Sequence, residues 1–137
     1  MVTLDLASAY LRAGQEAEAE SLLSLIESEL PHWSTDSLWG YGFADVELHA
    51  LRGEKEKALA AFREHAETGT RDMWRWQVLN NPNLDSIRDT PEFAAIVAEI
   101  EADMAAQLER VREMEQRGEL ALVPREEAEA VDGAGVE

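Results

Sequence analysis

Leu11-Arg12-Ala13-Gly14 and Ala50-Leu51-Arg52-Gly53 stand 39 residues apart, and the register holds beyond them: at the same offset Ala19 falls on Ala58 and Leu23 on Phe62. Outward from Gly14, apolar residues recur at intervals of three and four. Leu4, Ala7 and Leu11 predict a first helix that ends near the glycine, and a second is expected from Glu16 to Leu30, before Pro31. Two helices joined through one glycine form a hairpin. A hairpin that recurs at a fixed period of a few tens of residues predicts a solenoid, because each unit buries its apolar face against the next. Alternation of Val, Ile and Thr is scarce, while Ala, Glu, Leu and Arg dominate, so no strand is expected.

After Gly69 the pattern changes. Met73, Trp74, Trp76, Val78 and Leu79 predict an apolar helix too short for another unit, and Asn80-Asn81-Pro82-Asn83 is a strong turn signal. Leu84 and Ile87 mark one short turn. Asp89 or Thr90 then caps a long helix with Pro91 near its first position, running from about Glu92 to Arg117 and ending at Gly118. Phe93, Ile96, Val97, Ile100, Met104, Leu108, Val111 and Met114 trace a stripe along it over 22 residues, roughly 33 Å at 1.5 Å per residue. The organisation expected is a helical domain over residues 1–118, with units at about 1–31 and 39–69 and a closing segment at 70–118. Residues 119–137 read as a linker and an acidic tail with little to bury.

Leu6, Ala7, Tyr10, Gly14, Ala19, Leu23 and Pro31 of the first unit resemble the positions that define the tetratricopeptide repeat. Ala7 and Ala19 would let the helices approach, Tyr10 and Leu23 would fill the space between them, and Pro31 would stop the second helix. The second unit offers Val46, His49, Gly53, Ala58 and Phe62, with Val and His in place of the usual small residue and aromatic. The offset of 39, against a family unit of about 34 residues, puts extra residues in the linker Pro31-His32-Trp33-Ser34-Thr35-Asp36-Ser37. The tryptophan-rich stretch, Asn-Pro-Asn-Leu-Asp at 81–85 and Pro91-Glu92-Phe93 are similar to the closing segment of many bacterial tetratricopeptide proteins. The resemblance implies an all-α superhelix of two hairpins, a short helix and a long capping helix, with no catalytic centre and no cofactor.

It also implies a function. Such repeats hold a protein or peptide against the first helix of each unit, which here designates Leu4, Ser8, Leu11 and Arg12 in one hairpin and Phe43, Glu47, Ala50 and Leu51 in the other. Trp74 joins them as an aromatic contact of the kind enriched at interface hot spots. The cation and amide set with which one branch of the family grips a carboxylate tail is missing, so an apolar or basic ligand is expected. A second reading follows from relatives in which the repeats adjoin a winged-helix regulator or a cyclase: a regulatory or sensory segment of a larger bacterial protein. Because the chain opens directly in a repeat's first helix, that helix is expected to meet further repeats, a partner or a second copy, and the long last helix offers another surface for a homodimer.

Composition narrows the alternatives. With 29 acidic and 12 basic residues the chain carries a formal charge of −17, a field that repels phosphate backbones and argues against nucleic-acid binding. Cysteine is absent, which removes disulfides, thiolate nucleophiles and thiolate metal sites. No apolar run reaches the roughly 20 residues of a membrane span. There is no basic segment followed by an apolar one at the N-terminus, so a soluble chain without an export signal is expected, cytoplasmic if Met1 is the true start. His32, His49 and His65 lack the spacing that sets two metal ligands on one helical face. Asp45 and His49, four apart, are the pair most able to form a protonatable cluster, with a packing histidine the simpler expectation. Trp39-Gly40-Tyr41-Gly42 lacks the strand and the Lys-Ser or Lys-Thr of a phosphate loop.

Overall fold

A computed structural model describes residues 2–32, 43–69, 71 and 74–120 of the chain. The fold is all-α. Helices α1 (Val2–Arg12) and α2 (Glu16–Glu29) form one hairpin, and α3 (Ala44–Leu51) and α4 (Lys55–Glu67) form another. There follow a π-helical turn (Arg75–Leu79), a 3₁₀ turn (Pro82–Leu84), the short α5 (Asp85–Arg88) and the long α6 (Pro91–Gln116). Two compact units divide the chain, Met1–Glu101 and Ala102–Glu137.

The 39-residue repeat is reproduced bond for bond at the two hairpin turns. Gln15 donates its backbone N–H to Tyr10 O at 2.9 Å, and Glu54 donates to His49 O at 2.9 Å; Ala19 donates to Gln15 O at 3.1 Å and Ala58 to Glu54 O at 3.0 Å. Gly14 and Gly53 sit at φ +73° and +74°, the left-handed conformation that closes a helix by a six-residue hydrogen-bonded loop and that a Cβ disfavours. Interior positions repeat with them. Ala19 and Ala58 are fully buried, as are Ala7 and its counterpart Val46, Leu23 and Phe62, and Leu4 and Phe43. Small residues at Ala7, Ala19 and Ala58 allow the helices to close on one another, and the large ones fill what remains.

One core cluster joins Leu4, Ala7, Leu23 and Ile26 of the first hairpin to Ala44 and Leu48 of the second, with Leu22, Leu30 and Leu51 packed against it. Beside it lies an aromatic chain: the ring centroids of Phe43 and Phe62 are 6.0 Å apart, and those of Phe62 and Phe93 are 5.2 Å apart. Arg52 links the hairpins from outside the core, its guanidinium 2.7 Å from Glu20 Oε1 and 2.9 Å from Glu27 Oε2.

Two expectations shift in detail, and the choice between Asp89 and Thr90 as a cap is decided. The second helix ends at Glu29, and Pro31 sits inside a tighter 3₁₀ turn, Leu30–His32, because a missing N–H costs less there than in a continuing α-helix. The apolar segment after Gly69 is a π-helical turn, and Met73 lies outside the described residues. Thr90 is the cap of α6, its Oγ1 accepting from Phe93 N at 3.2 Å. Trp33, Trp39, Gly40 and Gly42, most of the linker and residues 121–137 also lie outside the described residues.

Candidate functional site

Most of the groove positions that the resemblance designates are interior. Leu4, Phe43 and Ala50 are core residues, and Ser8 and Glu47 are buried with them. Leu11 and Leu51 are half-buried, and Arg12 is exposed. Leu4 is buried in the core between the hairpins and Phe43 against the rings of Phe62 and His65. The 3₁₀ turn Pro82–Leu84 packs against both α1 and α3, and α5 packs against α3, so part of the first-helix face is covered by the chain's own closing segment. Of the eight first-helix positions, Arg12 and the edges of Leu11 and Leu51 remain open to solvent.

The covering is polar at its centre. Asn83, itself buried, donates from Nδ2 to Glu47 Oε2 at 2.8 Å and lies 3.3 Å from Asp5 Oδ1. Asn81 shapes the turn by accepting from Asn83 N through its side-chain oxygen at 3.0 Å. Burial pushes the Glu47 carboxyl above the usual carboxylate range; the Asn83 amide opposes this and the nearby Asp5 adds to it. Ser86 completes the dock, donating from Oγ to Ala50 O at 2.8 Å at the end of α3.

The histidines are parted. His65 Nε2 and Asp45 Oδ1 are 2.9 Å apart, and the His65 ring lies 5.0 Å from that of Phe43. His49 Nδ1 instead meets Glu54 Oε2 at 2.7 Å. Glu54 is held below its ordinary value by a hydrogen bond from Lys57 and then by His49. The cluster suggested by the i, i+4 spacing of Asp45 and His49 is thus resolved into two separate pairs, each joining residues that lie farther apart in the chain. Among the described residues no three His, Cys, Asp or Glu side chains converge as metal ligands, and no helix is long and apolar enough to cross a membrane.

The two described tryptophans, two residues apart, have opposite fates. Trp74 is 5% exposed and Trp76 is 66% exposed. The turn that presents Trp76 is fixed by Arg88, whose guanidinium donates to Leu79 O at 2.6 Å, Asn81 O at 2.6 Å and Val78 O at 3.1 Å and lies 5.9 Å over the Phe93 ring. A planar fork of donors suits three carbonyls left over by an irregular turn. A spacing of two sends the tryptophans in different directions, but it does not say which of them is exposed.

No protein-family model, curated protein or solved structure matches this chain.

Two large apolar side chains of the first hairpin stay outside among its exposed acids. Leu6 is 43% exposed and Leu25 is 54% exposed, on α1 and α2, eight residues before and eleven residues after Gly14. Their counterparts 39 residues on are Asp45, paired to His65, and Glu64, exposed to solvent. The same two positions carry leucine in one hairpin and acid in the other. Comparison of the two repeats in sequence could have found Leu25; Leu6 belongs both to the repeat framework and to the apolar first helix expected to meet a further surface.

Proposed function

We propose that this chain is a non-enzymatic module of tetratricopeptide type that binds a protein or peptide, and that its contact face lies on the outer side of the first hairpin. The observation that carries this is the pair Leu6 and Leu25, apolar and exposed where the second hairpin has Asp45 and Glu64. Covering these leucines with a partner would gain roughly 25 cal/mol per Å² of apolar area removed from water. The hairpin carries six acids, Asp5, Glu16, Glu18, Glu20, Glu27 and Glu29, against Arg12, with Glu20 and Glu27 paired to Arg52 of the second hairpin. A ligand that offers apolar side chains among basic ones fits that face, with the apolar contacts setting affinity and the charges setting encounter rate and salt dependence.

The interior placement of the family's groove positions supports the outer face over the inner one, because the Asn83–Glu47 contact and the Pro82–Leu84 turn would have to be displaced before a peptide could lie on α1 and α3. The test is affinity capture from an extract of the source cells with the full chain and with an L6D/L25D variant of equal helicity. A protein retained by the wild type and lost with the variant is the expected outcome, its retention falling as salt rises. Capture unchanged by the variant, or no specific capture at all, would remove the support for this face.

A further inference from the structure

The surface by which the second hairpin stacks on the first has a counterpart on the first hairpin itself. Ala44, Leu48 and Leu51 of α3 close against Leu4, Ala7, Leu23 and Ile26, with Leu22 and Leu30 packed beside them. Arg52 joins the edge of this contact to Glu20 and Glu27. A spacing of four and then three keeps the three apolar residues on one side of α3. At the same register on α1, 39 residues earlier, stand Asp5, Ala9 and Arg12, with Ala13 in the place of Arg52. All four are exposed. The same surface is thus apolar and packed on the second hairpin, and charged or small and open to solvent on the first.

We infer that the first hairpin is the terminal unit of this stack, the side of α1 that bears Asp5, Ala9 and Arg12 forming a polar cap on which no further hairpin of this kind docks. Repeating the contact there would set the Asp5 carboxylate where Ala44 packs and the Arg12 guanidinium where Leu51 packs. Both charges would leave water for the apolar set of an incoming hairpin, which is unfavourable. Ala9 would leave unfilled the volume that Leu48 occupies. Ala13 has no donor with which to repeat the charge-assisted bonds of Arg52. A stack of repeats needs an end whose outer face is polar, and these replacements supply it. The opening of the chain in a first helix leads to an expectation of further repeats against that helix; its stacking side argues the opposite. The inference does not rest on the contact face proposed above. Leu6 and Leu25 lie off the stacking surface, as their counterparts show: Asp45 pairs within the second hairpin to His65, and Glu64 is exposed.

Extending the full chain by a second copy of residues 1–39 ahead of Met1 tests this, because it offers the first hairpin a neighbour at the chain's own 39-residue period. The chain has no cysteine, so I26C in the added copy alone reports whether that hairpin stacks; Ile26 itself is buried in the contact between hairpins. On the wild-type face the thiol is expected to react with a maleimide at close to the rate of urea-unfolded protein. With the face converted to that of the second hairpin by D5A/A9L/R12L/A13R, labelling is expected to slow at least tenfold. Urea unfolding of the cysteine-free extended chains gives a second measure. Its m-value scales with the surface exposed on unfolding, and is expected to exceed that of the unextended chain on the converted face only. An added hairpin that is shielded on the wild-type face overturns the inference. So does one that stays unshielded on the converted face, since Asp5, Ala9, Arg12 and Ala13 would then not be what turns a neighbour away.

Discussion

Two glutamates of this chain answer to pH in opposite directions. Glu47 is buried, and its carboxyl is raised, chiefly because burial penalises its charge. Folding is favoured while Glu47 is protonated, so its contribution is present below the unfolded carboxyl value, about 4.3, and is lost as pH rises through the raised folded value. Glu20 is lowered by its hydrogen bond from Arg52, so its contribution is present above the unfolded value and lost as pH falls through the folded one. Two substitutions separate charge from hydrogen bonding at Glu47. E47Q retains an oxygen to accept from Asn83 and discards the buried charge, and is expected to stabilise the fold at neutral pH by on the order of 1 kcal/mol while flattening its pH dependence. E47A removes the nearer of the two acceptors of the buried Asn83 amide, leaving Asp5 at 3.3 Å, and is expected to cost about 1–3 kcal/mol. Chemical denaturation between pH 4 and 8 checks both signs. Arg88 belongs to the same scale. R88A frees three carbonyls that only an irregular turn would leave unmet, and is expected to increase amide exchange over residues 75–81 while leaving α1 and α2 unaffected.

At the scale of the element, the hairpin turn is the feature most plainly written in the chain. Gly14 and Gly53 are needed for their positive φ. Because the space around each would admit a Cβ without a clash, G14A and G53A are each expected to cost roughly 1 kcal/mol, from backbone strain alone. Thermal melts of the two variants should therefore move together. Leu23 and Phe62 occupy equivalent interior positions. Truncation to alanine is expected to cost about 2–5 kcal/mol at the first and about 3–5 kcal/mol at the second, where the aromatic contacts to Phe43 and Phe93 are lost as well. These elements were legible in the sequence because helical periodicity and a terminal glycine are local signals. The covering of the first-helix face was not. It depends on Asn83 meeting Glu47 and Asp5, 36 and 78 residues away in the chain, and nothing in the spacing of a turn sequence says which helices it will meet. The histidines follow the same rule: Asp45 lies four residues from His49, yet it pairs with His65, because α3 and α4 face each other across the hairpin.

For the whole molecule, charge and exposed apolar surface are the governing quantities. A chain of charge −17 repels itself, and salt screens that repulsion over a Debye length of about 10 Å at 0.1 M. The melting temperature is accordingly expected to rise with added sodium chloride, even though the Arg52 pairs to Glu20 and Glu27 weaken under the same conditions. The proposed contact face on the first hairpin rests on a comparison the chain makes with itself, leucine at Leu6 and Leu25 against acid at Asp45 and Glu64. It is tested most directly by amide hydrogen exchange of the full chain, alone and saturated with the protein it captures. Protection gained over residues 2–29, with α3 and α4 little changed, is the result the account predicts. Protection confined to the Trp76 turn, or to α1 and α3 together with loss of the Pro82–Leu84 contact, would contradict it.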